Sequence, residues 1–278
     1  MKLVKQTPLG DVVYEGEVVN GTPHGKGKET YLFTTYEGDF ANGEKTGKGK
    51  LILQGLFTYE GDFINGNQHG KGKQTLVKEG TVYEGDWADG TWHGKGKLTY
   101  TNGDIFEGDF VNGKMTGKGK WINENGDIKE GNFVDGKMQG KGKRTDADGT
   151  VTEGEYVDGK MNGKGKMTLA NGVCYEGDWV DGIMTGKGKL KMASGNVYEG
   201  DFLNGDFHGK GKFTWADGTV YEGDYVNDKK QGKGKTTWTD GRVYVGEYTD
   251  DKRTGKGKMT YPDGKVEEGN WKDGEFVG

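Results

Sequence analysis

The residues with the most evident chemical potential are the Gly-Lys-Gly-Lys tetrads, which recur eleven times between Gly25 and Lys258. A glycine-rich loop that ends in lysine binds phosphate in nucleotide-binding proteins, where the pattern is Gly-x4-Gly-Lys-Ser/Thr. Here three residues separate Gly90 from Gly94, and Leu98 stands where the pattern needs serine or threonine. We therefore expect the tetrads to be structural, with no nucleotide and no other cofactor.

The histidines and one acidic cluster are candidate metal ligands. The four histidines all precede a tetrad, and we interpret them as turn residues: His24, His69, His93 and His208. His69 and His93 would lie two strands apart, roughly 10 Å, which is too far to share a zinc ion bonded at about 2 Å. Asp146-Ala147-Asp148-Gly149 has the start of a calcium loop, but Val151 stands where that loop requires glycine. We expect no metal site.

No catalytic set can be singled out, because every Asp and Glu that could serve recurs with the same period as its neighbours. No Ser-His-Asp set and no Cys-His pair stands out either. We therefore predict that the protein is not an enzyme and has no catalytic residues.

A repeated unit positions all of these residues. Its best copy begins at Tyr83, and later copies follow at steps of 23 residues. A period in this range indicates a repeat architecture. Counting Tyr83 as position 1, the copies begin at Tyr14, Tyr36, Tyr59, Tyr83, Phe106, Lys129, Thr152, Tyr175, Tyr198, Tyr221, Tyr244 and Glu267.

Alternating side chains predict two strands in each repeat, residues 82–88 and 94–100 in the best copy. The Asp-Gly and Asn-Gly pairs between them are turn formers. We expect a four-residue loop after position 7 and an odd loop near positions 20–21, which together keep one aromatic face. The expected cross-strand pairs are Trp87 with Gly96, Gly85 with Leu98, Tyr83 with Tyr100, and Asp86 with Lys97.

The composition limits the fold and the partners. Only 30% of the residues are hydrophobic and 56 are glycine, so a thick two-layer core is excluded. The single Cys174 cannot form an intrachain disulfide, which fits a reducing, cytoplasmic compartment. No apolar run approaches the roughly 20 residues of a membrane span. The net charge of −5 is spread evenly, so we expect no nucleic-acid partner.

The recurring Tyr-Glu-Gly-Asp-Trp, turn glycine, Gly-Lys-Gly and Asp-Gly pattern resembles the MORN repeat (membrane occupation and recognition nexus). The resemblance implies an all-β fold, an elongated single-layer twisted antiparallel β-sheet solenoid of stacked 23-residue hairpins. It divides one continuous repeat domain into a capping strand (1–13), eleven repeats (14–266) and a half repeat (267–278). It also implies a scaffold or adaptor, which in this family is often cytoskeletal or membrane-associated.

The aromatic face is the expected binding groove for an extended or helical segment of a partner protein. Aromatics fill position 1 in nine of twelve copies and position 5 in eleven, and aromatic residues are enriched at interfaces. Mutual packing of these rings is the alternative, above all at position 5. The predicted groove residues are Tyr83, Trp87, Phe106, Phe110, Trp121, Lys129, Phe133, Asp146, Tyr175, Trp179, Tyr198, Phe202, Trp215 and Trp238.

Lys129 and Asp146 belong to a polar interruption of that face. The expected register places Lys129 between Asn123 and Asp146. The interruption is either neutral drift or a device that fixes the register of a bound segment, because charged groups confer specificity more than affinity.

A phospholipid-binding membrane tether is the alternative function. The tetrads supply 22 lysines, but positions 2 and 4 supply 21 acids, so any binding of anionic lipid should be weak and salt-sensitive. A homodimer through a terminal repeat is a further expectation, because an open strand edge near Trp271 and Phe276 invites pairing.

Overall fold

A computed structural model describes residues 1–278. The chain forms two compact units, Met1–Met138 and Gln139–Gly278. The predicted all-β fold of antiparallel hairpins is confirmed: the chain has 25 strands and no helix. No helix is therefore present that could cross a membrane.

The first unit is a meander in which each strand pairs antiparallel with the next one in the chain. Its strands are β1 (Lys2–Thr7), β2 (Gly10–Val19), β3 (Thr22–Tyr31), β4 (Thr34–Ala41), β5 (Glu44–Leu53), β6 (Phe57–Ile64), β7 (Asn67–Leu76), β8 (Val82–Ala88), β9 (Thr91–Thr99), β10 (Ile105–Val111), β11 (Lys114–Ile122) and β12 (Ile128–Val134).

The second unit has the same organisation, beginning within β13 (Lys137–Thr145). Its other strands are β14 (Val151–Val157), β15 (Lys160–Thr168), β16 (Cys174–Val180), β17 (Ile183–Lys191), β18 (Val197–Leu203), β19 (Asp206–Thr214), β20 (Val220–Val226), β21 (Lys229–Thr237), β22 (Val243–Thr249), β23 (Lys252–Thr260), β24 (Val266–Lys272) and β25 (Glu275–Phe276).

The turn inside each hairpin is tighter than the four-residue loop that we predicted. In the hairpin β8–β9, Asp89 and Gly90 alone connect the strands, with φ of 47° and 80°. Asp and Gly tolerate this left-handed backbone, which the favoured two-residue hairpin turn requires. The loop between hairpins, residues 100–104, has an odd number of residues, as we predicted. A bulge also leaves two residues of β9 without a partner on β8: the register shifts between Gly85 and Asp86, and Gly94 has a φ of 57°.

The tighter turn and the bulge together give cross-strand pairs that differ from the predicted ones. Tyr83 lies opposite Leu98, Gly85 opposite Gly96, Trp87 opposite Trp92, and Asp86 opposite His93. Lys97 therefore faces Glu84, and not Asp86 as we predicted. The histidines are likewise strand residues rather than turn residues, because β9 already begins at Thr91.

The core of each unit is a row of tyrosine or phenylalanine rings packed over glycine. The ring of Tyr83 is 0% exposed. A Cβ on Gly96 would stand 2.5 Å from that ring. Neighbouring rings meet edge to face, with centroids 5.5 Å apart for Tyr83 and Trp87 and 5.0 Å for Tyr83 and Phe110. Glycine thus provides the space that a single-layer sheet needs in order to bury an aromatic row.

Candidate protein-binding surface

Most of the aromatic residues predicted to line a groove lie in the core instead. Each of them is at most 5% exposed, and they present almost no surface to a partner: Tyr83, Trp87, Phe106, Phe110, Phe133, Tyr175, Trp179, Tyr198 and Phe202. Packing on one another, the alternative considered for position 5, describes their surroundings. Three further predicted residues, Trp121, Trp215 and Trp238, are half-buried and keep accessible surface on the same face.

The buried tyrosines are anchored by their hydroxyl groups. The Tyr83 hydroxyl donates to the backbone carbonyls of Asp86 (2.8 Å) and His93 (3.2 Å). Tyr175 and Tyr198 make the same bond to the residue three positions later. Burial raises the pKa of Tyr175 to about 12, with the nearby Asp178 adding to the effect. These hydroxyls are satisfied inside the fold rather than offered to a partner.

A second layer of side chains, at position 10 of the repeat, covers the tyrosine row. Because the hairpin turn has only two residues, position 10 lies opposite position 5 on the aromatic face. Trp92 stacks on Tyr83 with centroids 4.6 Å apart, and Phe207 stacks on Tyr198 at 3.8 Å. Three cations take the same place over Tyr36, Tyr221 and Tyr244 at 5.4, 5.2 and 5.6 Å, namely Lys45, Lys230 and Arg253.

This covering layer was not predicted from the sequence. The signal was present, because large or stacking side chains recur at position 10. We assigned position 10 to the predicted four-residue loop, because the second strand was expected to begin only at Gly94.

In the second unit two residues of the covering layer, Lys230 and Arg253, lie in a pocket of about 460 Å³. Trp215 and Trp238 line it, together with Lys230, Arg253 and the buried hydroxyl of Thr236. The Lys230 ammonium lies 4.6 Å from the centroid of Trp215, and the Arg253 guanidinium lies 5.7 Å from that of Trp238. Burial lowers the pKa of Lys230, an effect that Asp251 opposes.

The predicted polar pair does not have the predicted register. Lys129 lies opposite Trp121 on β11, and not opposite Asn123. Asn123 instead belongs to the following turn, where its amide donates to the carboxylate of Asp127 at 2.9 Å. In the second unit Asp146 accepts a hydrogen bond from Arg144.

The opposite face of each unit carries ion pairs along a concave groove, of about 1670 Å³ in the first unit and 1090 Å³ in the second. Lysine at position 13 reaches the aspartate at position 4 of the next repeat, as in Lys95–Asp109 (2.5 Å) and Lys164–Asp178 (2.6 Å). The hydrogen bond from Lys95 lowers the pKa of Asp109. The glutamates at position 2 pair with the other row of lysines, as in Lys97–Glu107 at 2.8 Å.

The two residues predicted for self-association differ in exposure. Trp271 is 5% exposed and donates to the carbonyl of Gly257, while Phe276 is 38% exposed. Their ring centroids lie 5.4 Å apart. Self-association through Phe276 stays a prediction.

The comparison with protein families gives one match, to the family described as MORN repeat. Its model matches residues 14–31, 36–54, 59–81, 83–105, 106–128, 130–151, 153–174, 175–197, 198–220, 221–241 and 244–266. No curated protein matches the chain.

Among solved structures, the chain is similar at low identity to domains of CPAP and SAS-4. The SAS-4 (dCPAP) TCP domain of Drosophila melanogaster, in complex with a proline-rich motif of Ana2, has a TM-score of 0.37 at 13% identity, covering 64% of this chain and 90% of that one. The G-box domain of CPAP has a TM-score of 0.41 at 15% identity, with coverage of 63% and 92%. The TCP10 domain of Danio rerio CPAP, in complex with a STIL peptide, has a TM-score of 0.31 at 16% identity, covering 98% of this chain and 100% of that one. A likeness at this level says nothing about what this chain binds.

Proposed function

Since the chain belongs to the MORN-repeat family, we propose that it is a non-enzymatic scaffold that binds an extended segment of a partner protein. The observation that carries the proposal is the pocket in the second unit, where Trp215 and Trp238 are half-buried and keep accessible surface above a buried row of rings. Tryptophan is enriched at the energetically dominant positions of protein interfaces.

The binding surface in this proposal is narrower than the groove predicted from the sequence. The rings at positions 1 and 5 support the surface from below, and the contacts to a partner come from the covering layer and from the tryptophans at position 18. In the first unit Tyr100 holds the repeat position of Trp215 and Trp238, and its ring lies 5.7 Å from that of Trp121 at position 16. Association with the cytoskeleton or with a membrane remains an expectation drawn from the family.

The phospholipid tether has less support, because lysines of the groove already have carboxylate partners at short distance, as in Lys71–Asp86 (2.6 Å) and Lys187–Asp201 (2.6 Å). Attraction to an anionic membrane contributes about 1 kcal/mol for each basic residue that is free near the surface. A ladder that is neutralised along its length offers few such residues.

Peptide selection tests the proposed function and does not require an identified partner. Random twelve-residue peptides are selected on the intact protein, and the affinity of the enriched peptides is measured by fluorescence anisotropy. We expect Trp215→Ala and Trp238→Ala each to weaken binding at least tenfold. Lys189→Ala, on the opposite face of the same unit, is the matched control and should leave the affinity unchanged. The proposal would be refuted if the enriched peptides bound both tryptophan variants as tightly as the unchanged protein.

A further inference from the structure

Two lysines occupy the same repeat position and lie over the same kind of ring, but they differ in their partners. The ammonium of Lys45, over Tyr36, forms an ion pair of 2.8 Å with Glu29 at position 16 of the preceding repeat. The ammonium of Lys230 lies over Tyr221, and position 16 of its preceding repeat is Phe213. At the repeat position where Lys45 finds its carboxylate partner, Lys230 has the apolar residue Phe213.

Position 16 supplies a polar partner for position 10 in another repeat as well. The indole N–H of Trp92 donates to the side-chain oxygen of Gln74 at 3.0 Å. The geometry of the repeat therefore brings these two positions within hydrogen-bond reach. The absence of an acceptor beside Lys230 is a property of this pocket and not of the position.

The other polar groups of the pocket are engaged within the protein. Asp217 accepts from the backbone and hydroxyl of Thr219, and Asp251 accepts from the backbone N–H of Lys230 at 3.0 Å. Lys252 pairs with Asp273 at 3.2 Å. The ammonium of Lys230 forms no ion pair within the protein: it lies 4.6 Å from the ring centroid of Trp215 and 5.2 Å from that of Tyr221, and Asp251 acts on it only through its charge. Half-buried charges are ordinarily paired, because their desolvation otherwise costs free energy.

We propose that the segment bound in this pocket is an acidic peptide, with a Glu or Asp carboxylate accepting a hydrogen bond from the ammonium of Lys230 while neighbouring side chains pack on Trp215 and Trp238. The inference rests on the proposed function, and it names the chemistry of the partner. The partner's carboxylate takes the part that Glu29 has beside Lys45.

The surroundings favour a carboxylate over a phosphate group. Three cationic side chains line the pocket against two carboxylates, and two of the cations already have partners. A phosphate dianion needs several donors at once, whereas Lys230 alone is unengaged here. Asp217 and Asp251 on the pocket wall would repel a second negative charge.

The same peptide selection supplies the test. We expect the enriched peptides to share an acidic residue, and replacement of that residue by its amide to weaken binding about tenfold or more, as for the loss of a hydrogen bond to a charged group. Lys230→Met should cause a similar loss. Methionine is the native residue at this repeat position in Met115, Met138, Met161 and Met184, so the variant should fold.

A second variant imitates the pair found in the first unit. Phe213→Glu places a carboxylate at the repeat position that Glu29 occupies beside Lys45. This carboxylate should compete for Lys230 and so weaken the binding of acidic peptides. Lys45→Met is the matched control and should leave peptide affinity unchanged. Peptides that need Trp238 but neither an acidic residue nor Lys230 would overturn the inference and leave the proposed function standing. Peptides whose affinity is unchanged by the tryptophan substitutions would refute both the inference and the proposed function.

Discussion

The hydroxyl of Tyr83 donates a hydrogen bond to the backbone carbonyl of Asp86 at 2.8 Å, while the ring of the same residue covers Gly96. The bond fixes the ring beside the bulge, where the register of the hairpin shifts. The aromatic row, the glycines and the bulge therefore depend on one another, and each can be tested separately.

Gly96→Ala should destabilise the first unit by about 1–3 kcal/mol, because overpacking forces neighbours to move. The added Cβ would stand 2.5 Å from atoms of the Tyr83 ring, which is fully buried and cannot swing away. Lys97→Ala, at the exposed neighbouring position, is the control and should have little effect. Thermal unfolding followed by circular dichroism measures both, and equal midpoints would contradict the packing described here.

The hydroxyl can be separated from the ring by a reciprocal pair of variants. Tyr83→Phe keeps the packing and loses the hydrogen bond, so we expect a loss of about 1 kcal/mol. Phe106 occupies the equivalent position without a hydroxyl, so Phe106→Tyr should be neutral or stabilising by up to about 1 kcal/mol. Urea unfolding would measure the two changes, and a strongly destabilising Phe106→Tyr would show that the site has no acceptor in reach.

The sequence predicted the repeat, the antiparallel hairpins, the first strand 82–88 and the face of the aromatic residues. It did not predict the register, because period-2 alternation contains no sign of where a strand inserts extra residues. Gly94 looked like part of a lysine motif, while its backbone φ of 57° makes it the bulge residue. Trp92 and Lys230 fell in the predicted four-residue loop, whereas a two-residue turn makes both strand residues. They could therefore not be placed over tyrosine rings, and the pocket could not be foreseen.

Acid should unfold the protein by protonating the aspartates at position 4. Hydrogen bonds from Lys26, Lys95 and Lys164 lower the pKa of Asp39, Asp109 and Asp178. A carboxyl whose folded pKa is depressed contributes stability above its unfolded pKa of about 3.9, and this contribution is lost as the pH falls through the folded pKa. The thermal midpoint should be constant from about pH 7 to 5 and fall below about pH 4. Asp178→Asn should flatten that fall, and an identical profile in the variant would argue against this cause.

Alkali should unfold the protein through the buried tyrosines. Burial raises the pKa of Tyr175 and of Tyr248 to about 12, from an ordinary value of 10.0. A buried tyrosine favours the folded state only while its hydroxyl is protonated, because the folded pKa lies above the unfolded one. This stabilisation is complete below pH 10 and is lost as the pH rises towards 12. Phenolate absorbance near 295 nm should therefore rise together with the loss of circular dichroism. Tyrosines that ionise near pH 10 in a protein that stays folded would contradict the burial.

Trp179 and Trp238 lie in the same unit and should separate structural from binding roles. Trp179 is 5% exposed, its ring packs edge-on against Tyr175 with centroids 5.2 Å apart, and its indole N–H has no hydrogen-bond partner. Trp179→Ala should therefore cost about 3–5 kcal/mol, as other large-to-small core changes do, and the cost should reflect packing alone. Trp238 is half-buried beside Arg242 and Arg253, so Trp238→Ala should cost no more than about 1.5 kcal/mol.

The binding readout should show the reverse order. At a temperature where both variants are folded by circular dichroism, Trp238→Ala should abolish most of the affinity for selected peptides, because its ring lines the pocket. Trp179→Ala should retain it, because that side chain reaches no partner. If the folded Trp179 variant lost binding while the Trp238 variant kept it, the rings of the inner row would be the contact surface. The covering layer would then have to open when a partner binds.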